Sequence, residues 1–159
     1  MNIEFIDPFI KSTLNVLQIM AQTDATPGQP VVKSDHKASG DVTGIIGMIG
    51  EQAKVSLSIT FTTPAILSIT SNMLGEAIEV LDETAFDAVG EITNMITGGS
   101  KKLLSEKGYK FDLSSPSVIA GRDHIIIHQL KAPIVIIPFS TDAGEFFLEI
   151  CSLCLYDCG

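Results

Sequence analysis

Between Asp82 and Gly108 the apolar residues Phe86, Val89, Ile92, Ile96 and Leu103 recur at steps of three, four and seven. That is the period of a helix with one buried face. The pattern predicts a long helix that begins at Asp82, runs to about Lys107 and stops at Gly108, where glycine tolerates a left-handed cap. A first helix is predicted from Pro8 to Ala21, opened by Asp7-Pro8 and burying Ile10, Leu14 and Leu17. A second, "TPAILSITSNMLG", opens at Thr63-Pro64 and closes at Gly75. "DVTGIIGMIG" and "AKVSLSITF" read as a hairpin turning at "GEQ". Four further strands are predicted at "SPSVIAG", "DHIIIHQL", "PIVIIPFST" and "EFFLEIC". The polar stretch "TDATPGQPVVKSDHKASG" is a loop with at most one short strand, at "PVV". Helices beside strands joined by tight turns give an α+β fold, a largely antiparallel sheet with the long helix packed across it.

The other side of the long helix carries chemistry. At about 100° per residue, Asp87, Gly90, Glu91, Asn94, Gly98 and Lys101 share the outer arc. Glu91 and Asn94, three residues apart, can touch one object. A bare E-x-x-N is usually an ordinary solvated face. The glycines argue for more, since each costs a helix interior up to about 1 kcal/mol relative to alanine. Without a side chain, an exposed position also lets another backbone come close.

Composition narrows the partners. The chain has 159 residues, 19 acids against 10 bases and a net charge of −9, which disfavours nucleic acid or an anionic membrane. Hydrophobic residues make up 45% and mean hydropathy is +0.35, so the chain folds around a large core. The start "MNIEFIDPF" has no secretion-signal pattern, and a cytoplasmic protein is expected. "HIIIHQLKAPIVIIPF" is broken by His128, Lys131 and Pro133 well short of a membrane span. It reads as two buried strands, whose apolar edge predicts a homodimer. His124 and His128 would share one strand face, as a structural pair. Cys151, Cys154 and Cys158 offer three thiols without a fourth ligand, so no metal site is expected. Their odd number argues against a disulfide framework. No serine sits on a sharp turn in a way that marks a Ser–His–Asp arrangement.

The first and third helices echo each other weakly. Aligning Asn15 with Asn94 puts Phe9 on Ala88, Ile10 on Val89, Ser12 on Glu91 and Leu17 on Ile96. The chain thus reads as two weakly related α–β halves.

With "DAVGEITNMITGGSKKLLSEKGYKFDLSSPSVIAG" and the opening "IDPFIKSTLNVL", the chain resembles the CheX/CheC/FliY family of chemotaxis phosphatases. The resemblance covers residues 1–151 as one CheC-like domain and leaves 152–159 as a tail. It implies hydrolysis of the aspartyl-phosphate on a CheY-type response regulator of two-component signalling. Glu91 and Asn94 then carry over as catalytic positions, while Ser12 replaces the acid of the first helix. Asp87, Gly90, Gly98 and Lys101 become the docking surface. The family chemistry has Asn94 orient the attacking water and Glu91 pair with the regulator's lysine. No cofactor of its own is implied, and Mg2+ belongs on the partner. Two other readings stay open. A non-catalytic module would bind a regulator or flagellar switch component through the same face. A small-molecule hydrolase using Glu91 as base, like the hot-dog thioesterases, would need a concave apolar pocket beside it.

Overall fold

The computed structural model describes residues 3–155. In chain order the elements are α1 (Ile3–Ala21), β1 (Thr26–Pro27), β2 (Val31–Val32), β3 (Val42–Ile49), β4 (Ala53–Phe61), α2 (Thr63–Leu74) and α3 (Glu83–Ser105). They continue with β5 (Asp112–Leu113), β6 (Ser117–Ala120), β7 (Ile134–Ser140) and β8 (Glu145–Cys154). All strand pairs are antiparallel, in the order β1-β7-β8-β4-β3-β5, with β2 also on β7 and β6 also on β3. The fold is α+β. β4 and β8 pair at the centre along Ala53↔Cys154 to Phe61↔Phe146. Around that axis the two halves repeat, each a helix, two short strands and a hairpin.

Register decides which side chains meet the helices. Val42, Ile46 and Met48 of β3 line up with Phe61, Leu57 and Val55 of β4. Ile150, Leu148 and Phe146 of β8 line up with Val135, Ile137 and Phe139 of β7. All twelve are buried in the core with Phe9, Leu17, Ile66, Ile69, Val89, Ile92 and Ile96 of the helices. Phe139 and Phe146 stack across β7 and β8 with ring centres 4.8 Å apart. Alternation therefore gives the sheet one helix-covered apolar face and one face that carries most of its polar residues beside a few apolar ones.

α1 begins at Ile3 rather than at Pro8, which lies inside the helix. Proline removes the N–H that would bond the carbonyl four residues back. That carbonyl, Glu4 O, accepts from Lys107 Nζ at 2.7 Å instead. α3 starts as expected, with Asp82 accepting from Thr84 N. It ends at Ser105, where Tyr109 N returns to Leu104 O and Gly108 takes φ 93°.

The strand expected at "DHIIIHQL" does not form. The stretch is irregular apart from a bridge, Lys37↔Ile125. Its backbone bonds are met by residues 36–38 (Ile126 N to His36 O, Ala38 N to His124 O), so it lies over the polar face instead of extending the sheet. His124 and His128 consequently share no strand face. His124 reaches Thr43 Oγ1 and Gly121 O, and His128 reaches Ser56 and Glu149. The apolar edge invoked for a homodimer is altered too, because β7 is paired on both sides.

β8 runs to Cys154, past the boundary expected at residue 151. Cys151 is buried, its thiol pushed up from the ordinary value by burial, and Sγ donates to Leu130 O and Ala132 O. Cys154 is disulfide-bonded, a cross-link the odd cysteine count did not suggest. Cys158 lies outside the described residues. Among the described residues no helix is long and apolar enough to cross a membrane.

Candidate functional site

α3 is held against the molecule by small residues. Thr93, Thr97 and Ser100 lie on its buried side and return their hydroxyls to the carbonyls of Val89, Thr93 and Ile96. Each polar side chain is thus satisfied within the helix and leaves a thin, close-packing surface. Gly44 of β3 permits the approach to the sheet: a Cβ there would lie 3.0 Å from Thr93 Cβ and closer still to its hydroxyl. Gly99 does the same toward α1, since a Cβ would collide with Ser12 Oγ. Ser12 Oγ donates to Ile96 O at 2.7 Å. Both contacts hold the turn that carries Glu91 and Asn94.

The opposite side of α3 presents Asp87, Glu91 and Asn94 to solvent, with Gly90, Gly98 and Lys101 partly covered along the same stripe. A Cβ on Gly98 would meet nothing within 4 Å, so that point is open to a visitor. At Gly90 it would touch Val118 of β6 at 3.6 Å. Val118 is itself 37% exposed, and sequence reasoning passed it over because it lies in a short strand far along the chain. Among the described residues neither the Glu91 nor the Asn94 side chain makes a hydrogen bond or ion pair. Asp87 and Glu91 are like charges four apart, which costs an isolated helix about 0.2–0.5 kcal/mol. An arriving cation would relieve this.

Ser12 corrects the expected register of the two halves. It is buried and faces α3, whereas Glu91 is exposed. The exposure patterns coincide when Thr13 is placed on Thr93. Both hydroxyls then make the same bond, to Phe9 O and to Val89 O. In that register Lys11 stands where Glu91 is, and Leu14 where Asn94 is.

A long helix packed across a pseudo-two-fold antiparallel sheet is a fold shared with CheC-like proteins. A CheC-like superfamily protein from Shewanella sp. PV-4 matches with a TM-score of 0.90 and 51% identity, over 96% of this chain and 99% of that one. The chain belongs to the CheX family: the family model described as "Chemotaxis phosphatase CheX" matches residues 42–140. The CheY-P phosphatase CheX of Thermotoga maritima is 27% identical over 124 residues, 77% of this chain and 79% of that protein. The CheX–CheY–BeF3–Mg2+ complex of Borrelia burgdorferi matches with a TM-score of 0.80 and 26% identity, over 95% of this chain and 99% of that one.

Proposed function

We propose that this chain is a phosphatase acting on a phosphorylated CheY-type response regulator, docking it through the outer face of α3. The observation that carries the reading is the exposed, unengaged Glu91–Asn94 pair on a rigidly seated helix, in a family with a CheY-P phosphatase among its members. Hydrolysis of an aspartyl-phosphate needs a water in line with the leaving oxygen and little covalent help from the protein. A carboxamide suits this task, since its oxygen accepts from the water while its N–H donates to a phosphoryl oxygen. Asn94 takes that part. A carboxylate beside a phosphoryl group is repelled unless it meets a cation, so Glu91 pairs with a lysine of the regulator. Mg2+ is held by the regulator, where it neutralises the phosphoryl charge.

An exposed convex helix face favours docking over a small-molecule hydrolase, which needs a cavity at Glu91. A binding module without hydrolysis would use the same face, and only turnover separates the two. The test is release of inorganic phosphate from a phosphorylated CheY-type regulator with and without this protein. Catalysed release is expected; binding without acceleration would leave the module. Glu91→Ala should weaken the complex by about 2–5 kcal/mol, measured by titration, because it leaves the regulator's lysine unpaired.

A further inference from the structure

The polar face of the sheet, opposite α3, carries a second constellation. Ser56 Oγ lies 2.6 Å from His128 Nδ1, and His128 Nε2 lies 3.3 Å from Glu149 Oε1. The other carboxylate oxygen, Glu149 Oε2, lies 2.9 Å from Lys33 Nζ. The side chains of Lys33, Glu149 and His128 are 7%, 0% and 1% exposed. Ser56 alone is partly open, and it lines a cavity of about 670 Å³.

The ion pair fixes the direction of the chain of hydrogen bonds. A carboxylate held by an ammonium only accepts. The His128 Nε2 that faces it therefore donates, and with a single ring proton Nδ1 is left as an acceptor. Ser56 then donates its hydroxyl proton to Nδ1. A hydroxyl bonded to a base, whose ring is oriented by a carboxylate, is the arrangement that activates serine nucleophiles on unrelated folds. Approach is open as well. The residue paired with Ser56 on β3 is Gly47, so on that flank the neighbour is the small Ser114 side chain, whose hydroxyl accepts from Gly47 N at 2.8 Å. Walls of Ile45, Ile119, Ile127 and Leu130 make the cavity largely apolar, and Lys54 and Gln129 also line it.

We propose that Ser56 is the nucleophile of a second site, with His128 as its base, taking carboxylic esters of short apolar acids. Ser56 Oγ bonds to the ester carbonyl carbon and its proton passes to His128 Nδ1. The carbon–oxygen bond to the alcohol then breaks, and the departing oxygen takes that proton. A water, giving a proton to the same nitrogen, attacks the acyl carbon. The acid is released and the proton returns to Ser56. Lys54 and Gln129 supply donors for the carbonyl oxygen. Glu149 is a positioning residue.

The site shares no residue with α3, so the two readings stand or fall separately. The test treats the full-length protein with a fluorophosphonate probe and maps the adduct by mass spectrometry, alongside hydrolysis of p-nitrophenyl butyrate. One adduct at Ser56 is expected, and Ser56→Ala should abolish both the adduct and catalysed hydrolysis. His128→Gln, which keeps a hydrogen-bonding side chain but removes the base, should slow hydrolysis about 100-fold. Gly47→Val should slow labelling by crowding the hydroxyl without touching the buried network, which covers the case of a misfolded His128 variant. No adduct at Ser56 in the folded protein, or undiminished hydrolysis by Ser56→Ala, would overturn the proposal.

Discussion

α1 and α3 are the same element used twice, and the functional difference lies where they face water. Both bury aromatic or aliphatic residues and a threonine that bonds back one turn, Thr13 to Phe9 O and Thr93 to Val89 O. On the outside, α3 shows Glu91 and Asn94 with no internal partner among the described residues. At the corresponding places α1 shows Lys11, tied to Asp7 at 2.9 Å, and a half-buried Leu14. One helix keeps its polar groups unengaged, and the other spends them on itself. Packing thus keeps the same positions of both helices buried and leaves the outer faces free to diverge.

The largest effect that separates the helices is expected from Ser12→Glu. If Ser12 occupied the acid position of α1, a carboxylate there would be tolerated. Since it is 4% exposed and aimed at α3, the change should destabilise the fold by about 3–5 kcal/mol, the cost of an uncompensated buried charge, as read from urea denaturation. Next comes Asn94→Ala, which should cut phosphate release about 100- to 1,000-fold while leaving the melting temperature nearly unchanged. Gly99→Ala tests the close approach of α1 and α3. Its methyl would collide with Ser12 Oγ, so a loss of about 1–3 kcal/mol is expected, most of it recovered in the double variant with Ser12→Ala. Smallest of all should be Lys11→Glu, which lies on the exposed face and should stay within about 0.5 kcal/mol in the same denaturation assay.

These contrasts also mark what the sequence made readable. The outward placement of Glu91 and Asn94 followed from the spacing of Val89, Ile92 and Ile96 alone, because helix geometry is local. The hairpin of β3 and β4 was equally plain from alternation. The echo between halves slipped by one residue, since Asn15 offered a tempting match and the inward turn of Ser12 depends on Gly99, distant in the chain. "DHIIIHQL" failed as a strand for a related reason. Its apolar run does not alternate, and its hydrogen bonds go to residues 36–38, a pairing no local pattern announces. The Ser56–His128–Glu149 network draws on β4, β8 and the irregular stretch before β7, and only the folded chain assembles it.

The short strands have a consequence for how this molecule comes into being. β1 and β2 belong to the first half yet pair with β7 of the second, while β5 and β6 of the second half pair with β3 of the first. Each hairpin therefore borrows its edge cover from the other half, and neither can protect its outer backbone groups alone. Closure requires contacts between remote parts of the chain, which slows the search and makes the last step all-or-none. A chain cut between α2 and α3 should give two fragments that stay unfolded apart and recover one cooperative melting transition when mixed.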